Sequence, residues 1–371
     1  MMFGSIIVFI LVLSVLVIVH ELGHFIVARK SGVKVEEFGF GLPPRIWGKK
    51  VGETLYSINA LPFGGFVKLH GEQEEDPETN IKRSFLHKSK KVRAAIVVAG
   101  VIMNFILAIF VFAIVYSFSG IPRDMGKVKV INVTTDSPAQ KAGIVVGDIV
   151  TKVGDEEVTS SDDFIAKTAN YKERAVTYEI QRVVDSQEKA IKVKLTPREN
   201  PPEGEGPIGV TITTMEIYYP PILQRPFYGV YYGFKEGIYW GKTIVTGLGG
   251  LATGIFRGEA VSGVSGPIGI YAVTTEASKG GFLTLLNFVG ILSVNLAILN
   301  IIPFPALDGG RLLFIGIEAA TRKKVSTRVE AIINNIGFLL LITLLLVITI
   351  GDVRRLITTG SIEGFINSLT K

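Results

Sequence analysis

The residues His20-Glu21-Leu22-Gly23-His24 place two imidazoles and a carboxylate at a spacing that suits metal chemistry. Residues four apart lie on one face of an α-helix, so His20 and His24 can bind one metal ion together. Glu21 lies beside them, where its carboxylate can act on a metal-bound water. The pattern therefore predicts a hydrolytic zinc centre with His20 and His24 among its ligands.

This motif lies near the end of an apolar run over residues 3–28, which is long enough to cross a bilayer core of roughly 30 Å as a helix. Ionisable groups at that depth are costly, which itself indicates a functional site. A cleaved signal peptide fits poorly, because no basic residue precedes the run and no small-residue cleavage site closes it. Arg29 and Lys30 follow directly and favour a retained span whose C-terminal end is cytoplasmic.

Composition limits the class of protein and the chemistry of the metal site. The chain is 48% hydrophobic with a mean hydropathy of +0.42, which predicts several membrane spans together with a water-exposed part. The basic residues behind the net charge of +6 cluster beside apolar runs, which suits a membrane surface and predicts no nucleic-acid partner. The chain contains no cysteine, so a metal must be held by His, Asp or Glu.

The hydropathy pattern predicts a polytopic α-helical membrane protein with four transmembrane helices, an inserted α/β domain and a membrane-proximal β-rich segment. The predicted order is a first transmembrane helix (1–28), a cytoplasmic β-rich segment (29–93), a second transmembrane helix (94–118), an extracytoplasmic domain (119–215), an interfacial connecting segment of amphipathic helices (216–281), a third transmembrane helix (282–310), a cytoplasmic loop (311–330), and a fourth transmembrane helix with a tail (331–371).

The β-rich segment alternates apolar and polar residues between glycines and prolines, which predicts short strands or hairpins. A free strand edge in it could pair with an extended substrate, and an ordinary cytoplasmic loop is the alternative. His70 and His87 lie among solvating charges and are predicted to be surface histidines.

Two histidines leave a catalytic zinc one protein ligand short. Asp308 is the one acidic residue that adjoins an apolar run carrying helix-breaking prolines, at Pro303 and Pro305, and paired glycines. Irregular backbone at membrane depth is tolerated where it is buried in protein or lines a water-filled cavity, which is where a metal site would lie. The residues alone leave open that Asp308 merely begins a cytoplasmic loop.

Two motifs together resemble the site-2 protease family of intramembrane zinc metalloproteases. They are His20-Glu-Leu-Gly-His24 in the first predicted span and Asn300-Ile-Ile-Pro303-Phe-Pro305-Ala-Leu-Asp308-Gly-Gly in the third. The inserted segment resembles a circularly permuted bacterial PDZ domain in Ser137-Pro-Ala, Ala142-Gly143-Ile144 and Gly147-Asp148. The order of spans and insert is similar to the RseP-like branch of regulated intramembrane proteolysis. The best-known member has two tandem PDZ domains, whereas this chain has room for one.

The resemblance implies a site and a reaction. It implies zinc (Zn2+) held by His20, His24 and Asp308, Glu21 as general base, substrate contacts from Asn295, Asn300, Pro303 and Pro305, and a PDZ groove at Ile208, Gly209 and Val210. The implied reaction is hydrolysis of a peptide bond within the transmembrane segment of single-span membrane proteins already trimmed outside, such as anti-sigma factor or signal-peptide remnants. The implied location is the bacterial inner membrane, with the active site towards the cytoplasm and the PDZ domain outside.

The sequence leaves alternatives open for the inserted domain and for the whole chain. The PDZ domain could bind a peptide or act only as a steric filter. A non-catalytic PDZ-bearing membrane scaffold is the alternative function, although a scaffold needs no costly ligands within the membrane. A transporter fits less well, because the spans show no inverted repeat.

Overall fold

The computed structural model describes residues 2–72, 81–184, 187–257 and 265–369. The chain forms two compact units, a membrane unit of Met1–Ser119 with Pro221–Lys371 and an inserted domain of Gly120–Pro220. The elements follow in the order α1 (Met2–Lys30), β1 (Val35–Val51), β2 (Thr54–Leu69), α2 (Lys90–Ser119), β3 (Ile121–Val133), α3 (Pro138–Lys141), β4 (Ile149–Val153), β5 (Glu156–Glu157), α4 (Ser161–Ala169), β6 (Val176–Val184), β7 (Gln187–Leu195), β8 (Val210–Tyr218), α5 (Arg225–Phe256), α6 (Pro267–Lys279), α7 (Phe282–Ile301), α8 (Asp308–Thr321), α9 (Thr327–Thr359) and α10 (Ile362–Leu369).

Within the described residues, four helices are long and apolar enough to cross a membrane, over Gly4–Lys30, Lys90–Ser119, Phe282–Ile301 and Arg328–Thr359. These lie in α1, α2, α7 and α9 and agree with the four predicted spans. The basic residues of α1 and α2 lie at the ends of these spans, while His20, Glu21 and His24 lie within α1.

The third span is shorter than predicted, since α7 ends at Ile301 and not at residue 310. Pro303 lacks an N–H for the helical ladder and its ring clashes with the preceding turn, so the helix cannot continue. The chain turns through Ala306, which adopts a left-handed conformation with φ 70°, and a new helix, α8, begins at Asp308. The predicted cytoplasmic loop over 311–330 is therefore wrong in part, because α8 runs on to Thr321.

The connecting segment is helical, as predicted. Its longer helix, α5, has 32 residues and lies along a span instead of at the membrane interface. It runs antiparallel along α2, with Gly229 next to Ala113 and Gly233 next to Ile109. A Cβ on either glycine would collide with the α2 backbone, so these small residues permit the close approach of the two helices.

The membrane-proximal segment is β-rich, as predicted. Strands β1 and β2 are antiparallel, and each bends midway, so that the hairpin has four arms in the order 45–51, 54–59, 37–40 and 65–69. In the described pairing, the arm of residues 65–69, here called the edge arm, pairs with the first part of β1 alone. The hairpin packs on α1 and α2 through a cluster that includes Phe25, Val35 and Ile96.

His70 is not the surface histidine that its charged neighbourhood predicted. Its side chain is buried, and its Nδ1 atom lies 2.8 Å from Glu36 Oε1. Lys68 pairs with the other carboxylate oxygen of Glu36 at 3.0 Å. Although partial burial raises the pKa of Glu36, hydrogen bonds from His70 and Lys68 lower it below its ordinary value.

The inserted domain has the predicted α/β character. Its sheet has the strand order β7-β6-β4-β3-β8, with β5 paired to β4. The core lies beneath this sheet around Val128, Tyr178 and Ile180, which are fully buried. Helix α3 begins where the Ser137 hydroxyl accepts a hydrogen bond from the backbone N–H of Gln140 at 3.2 Å.

The predicted groove residues of this domain lie at the start of β8, an edge strand of the sheet. The side chain of Ile208 is 2% exposed because it packs in the apolar core of the domain. It is therefore not available to a ligand. Gly209 has φ 74°, and its N–H donates to the carbonyl of Gly206 at 3.0 Å. Val210 opens β8 and is partly buried.

Candidate metal centre

Three side chains from two helices converge on one point. The Nε2 atoms of His20 and His24 lie 3.1 Å apart on one face of α1. Asp308 Oδ2 lies 3.1 Å from the first and 3.2 Å from the second. Such spacings match ligand atoms that surround one tetrahedral ion at about 2.0–2.2 Å. Within the described ranges, these residues form the one cluster of three His, Asp or Glu side chains close enough to share an ion.

The chemistry of the three donors fits a cation. Asp308 Oδ2 is buried and has no hydrogen-bond partner in the described structure. A buried carboxylate oxygen without a donor is costly, and a metal ion removes that cost. Two imidazoles and one carboxylate are a donor set of catalytic zinc sites, which leave a fourth position open.

The break between α7 and α8 places the third ligand. Asp308 is the first residue of α8, directly after the irregular backbone at residues 302–307. A Cβ on Gly309 would collide with the carbonyl oxygen of Ile302, and one on Gly310 would lie 2.5 Å from that of Phe304. The paired glycines therefore let the new helix start tight against the turn that precedes it.

Helix α2 orients both histidines from behind. His24 Nδ1 lies 2.8 Å from the carbonyl oxygen of Ile96, to which its N–H donates, so Nε2 is left to bind metal. His20 Nδ1 lies 3.3 Å from Nδ2 of Asn104, which is fully buried, and Asn104 Oδ1 has no hydrogen-bond partner in the described structure. Metal binding through Nε2 requires a proton on Nδ1, and turning the Asn104 amide over would bring Oδ1 to this position to accept it.

Gly100 on α2 forms the wall against which the two rings pack. A Cβ at this position would lie 2.5 Å from His24 Nε2 and 2.7 Å from His20 Cε1. The sequence gives no signal of this contact, because Gly100 is one of several small residues in an uncharged span. Asn104 is recognisable in the sequence as the lone amide of that span, expected to face protein, but its partner is not.

The centre opens into a cavity of about 360 Å³. The cavity is lined by the metal-site residues, by the edge arm of the hairpin at Phe66, Val67, Lys68 and Leu69, and by Ala306, Leu307 and Arg311 near the start of α8. Glu21 lines the same cavity without belonging to the ligand cluster, so its carboxylate is available as a base.

Arg311 and Glu72 form an ion pair of 2.5 Å at this cavity. The negative charge of Glu72 is the main cause of a raised pKa for Arg311, which keeps the guanidinium charged. Arg311 lies one helical turn beyond Asp308, so the positive charge faces the same side of α8 as the ligand.

The remaining predicted residues do not join the cavity lining. Asn295 and Asn300 lie half-buried on α7, and Pro303 and Pro305 form the turn that delivers Asp308. The prolines thus have a structural role in the site, and substrate binding by the four residues stays a prediction.

Comparisons with known proteins agree with this geometry. The model of peptidase family M50 matches residues 8–344. A candidate zinc metalloprotease of Clostridium perfringens is 38% identical over 350 residues, covering 92% of this chain and 96% of the relative. The zinc metalloprotease RasP of Geobacillus kaustophilus is 31% identical, covering 95% of this chain and 98% of the relative. The regulator of sigma-W protease RasP of Bacillus subtilis is 28% identical, covering 96% and 100%.

Proposed function

The chain belongs to peptidase family M50 and is a zinc metalloprotease, and we propose that it cleaves single-span membrane proteins within their transmembrane segments. The observation that carries the proposal is the position of the metal centre. Its ligands come from the span α1 and from the start of α8, directly after the span α7. A hydrolytic centre built into spans is suited to a substrate that is itself in the membrane.

Each residue of the centre has a distinct part in this hydrolysis. The ion that His20, His24 and Asp308 would hold supplies Lewis acidity, which polarises the scissile carbonyl and acidifies water. Glu21 accepts a proton from the attacking water, whose oxygen forms the new bond to the carbonyl carbon. As the C–N bond breaks, Glu21 returns that proton to the leaving amine. The three ligand side chains are only 9–15% exposed, which keeps them oriented for this step.

The position of the edge arm supports the proposal that the substrate binds in an extended conformation. A helical transmembrane segment hides its peptide bonds in internal hydrogen bonds, so it must unwind before attack. The edge arm lies beside Glu21, since a Cβ on Gly65 would be 3.4 Å from Glu21 Cγ. An unwound segment that paired with this edge would gain the backbone hydrogen bonds it lost and would run past the base.

Charge distribution supports a centre towards the cytoplasm of a bacterial inner membrane. Arg29 and Lys30 end α1, Lys90 and Lys91 begin α2, and further basic residues at 322–324 lie between α8 and α9. Cytoplasmic flanks of spans are enriched in such residues. The same topology places the inserted domain outside the membrane. The regulatory name of the Bacillus subtilis relative supports substrates of the anti-sigma factor class, with signal-peptide remnants as the other candidate.

The inserted domain is proposed to be a single PDZ-like module. Its motifs, its edge strand β8 and the adjoining loop at Gly206 support the assignment, since such modules bind a peptide end by strand addition. A size filter that excludes bulky ectodomains is the second possibility. Single-span substrates with progressively shortened ectodomains distinguish the two, because only the filter makes cleavage depend on size alone.

A co-expression assay tests the proposed reaction. A tagged single-span substrate is produced with the wild-type chain or with Glu21→Gln, and its fragments are followed by immunoblotting. We expect Glu21→Gln to abolish the membrane-derived fragment while the protein accumulates normally. The scaffold alternative predicts equal fragment levels for both, and zinc analysis separates it further, since a scaffold would bind no zinc that depends on Asp308.

A further inference from the structure

Helix α8 carries a buried ion pair as well as the metal ligand. Asp308 is its first residue, and Glu318 lies ten residues later on the same helix. Glu318 Oε2 lies 2.7 Å from Arg93 Nη1 in the first turn of α2, and the two side chains are 7% and 6% exposed. The pair therefore joins the far end of α8 to α2.

Neighbouring groups hold this pair in one geometry. The backbone carbonyl of Glu318 accepts a hydrogen bond from Lys90 Nζ at 2.5 Å, and Glu318 Oε1 accepts one from the N–H of Val325 at 3.2 Å. The guanidinium of Arg93 lies 5.6 Å from the centre of the Phe85 ring. Buried charges with this many partners are strongly coupled, and removing one partner leaves the other uncompensated.

The face of α2 that carries Arg93 also contacts the two histidines of α1. Arg93 is followed by Ile96, whose carbonyl binds His24, then by Gly100, against which both rings pack, and then by Asn104 beside His20. These positions are three, seven and eleven residues after Arg93, so they lie along one side of the helix.

The same face of α8 carries the third ligand. Asp308, Ile315 and Glu318 are separated by seven and three residues, and Ile315 is buried in the cluster that includes Ile96. Two helix faces thus meet, one orienting His20 and His24 and the other bearing Asp308. The Arg93–Glu318 ion pair joins α2 to α8 at the end of α8 that lies away from the metal site.

We propose that Arg93 and Glu318 are positioning residues of the zinc centre, which set Asp308 at bonding distance from the histidine ligands. The backbone before Asp308 is an irregular turn, so the direction of α8 depends on contacts along the helix. The pair acts through α8 and touches no reacting atom.

Zinc affinity of the purified full-length protein tests this role, measured by competition with a chromophoric chelator. Glu318→Met should weaken zinc binding about 10- to 100-fold, the range found when groups that orient metal ligands are lost. Arg93→Met combined with Glu318→Met should recover most of that loss, since two apolar side chains can replace a buried ion pair without leaving a charge. Arg182→Met, which removes an ion pair of Asp148 in the inserted domain, is the matched control and should leave zinc affinity unchanged.

A double-mutant cycle between Glu318 and the metal ligand Asp308 separates a positioning role from a general effect on protein stability. In an Asp308→Ala background, Glu318→Met should cause no further loss of zinc affinity, because no third ligand remains to be positioned. An equal loss in both backgrounds would overturn the proposal, as would a folded Glu318→Met with wild-type affinity. If that single variant does not fold, the double variant decides, and a folded double variant as weak as Asp308→Ala contradicts the proposal.

Discussion

At the scale of single residues, the metal centre depends on atoms that have no other partner. Asp308 Oδ2 is buried without a hydrogen bond in the described structure, while His24 is oriented by the Ile96 carbonyl. Such unsatisfied groups are retained where an ion satisfies them. The ligand types were predictable from the sequence, because His20 and His24 show helical spacing. The groups that orient them were not, because they come from another span.

Gly100 provides the most direct residue-scale prediction. Gly100→Ala places a methyl group 2.5 Å from His24 Nε2 and should weaken zinc binding at least about 10-fold, as measured by chelator competition. Gly316→Ala on α8 is the control, since a Cβ there has no neighbour within 4 Å. Equal affinities for Gly100→Ala and the wild type would refute the packing of α2 against the ligands.

The lowered pKa of Glu36 predicts that this residue stabilises the protein in a pH-dependent way. Its pKa is lowered in the folded protein by His70 and Lys68, so its stabilising effect is present above the ordinary value of 4.5 and lost as the pH falls through the folded value. Glu36→Gln should therefore destabilise the protein by about 0.5–1 kcal/mol near pH 7, and the difference should shrink as the pH falls below 4.5. Thermal unfolding of both proteins at a series of pH values measures this, and a difference that does not shrink with falling pH would contradict the prediction.

At the scale of elements, the break between α7 and α8 decides where the third ligand lies. Apolar length predicted the four spans well, because hydrocarbon tolerates little else. The prolines predicted that a helix would break, but not that another would begin at Asp308. That restart depends on Gly309 and Gly310 packing on the preceding turn, which is a tertiary contact. The course of α5 along α2 was likewise missed, because its glycines and aromatics resemble an interfacial helix in sequence.

The turn itself can be tested by removing its prolines. Pro303→Leu combined with Pro305→Leu should let α7 continue and should displace Asp308, so that zinc content falls to that of Asp308→Ala. Metal analysis of purified protein measures it, with circular dichroism showing that the helices persist. Pro201→Leu, in a loop of the inserted domain, is the control. Full zinc content in the double variant would show that the prolines do not set the ligand.

At the scale of the whole molecule, every group of the metal centre lies in the membrane unit. The inserted domain is a separate compact unit, which suits a role in selecting substrates while the membrane unit cleaves them. This division was visible in the sequence as a change from apolar to mixed composition near residue 120.

Topology can be measured cleanly because the chain contains no cysteine. Glu203→Cys in the inserted domain should react with a membrane-impermeant maleimide in intact spheroplasts. Lys324→Cys, between α8 and α9, should react only after the membrane is permeabilised. Both positions are exposed, so access depends on the side of the membrane. The reverse pattern would refute the proposed orientation.

Cleavage within the membrane, with Glu21 as the base, is tested most directly by the cleavage position in a purified, reconstituted system. The zinc-loaded wild type and Glu21→Gln are incorporated into vesicles with a single-span substrate, and the fragments are identified by mass spectrometry. The wild type should cut within the transmembrane segment, while Glu21→Gln should keep its zinc and cut at least about 100-fold more slowly, as loss of a general base requires. Cleavage only outside the segment, or an unchanged rate in Glu21→Gln, would contradict an intramembrane protease with Glu21 as its base.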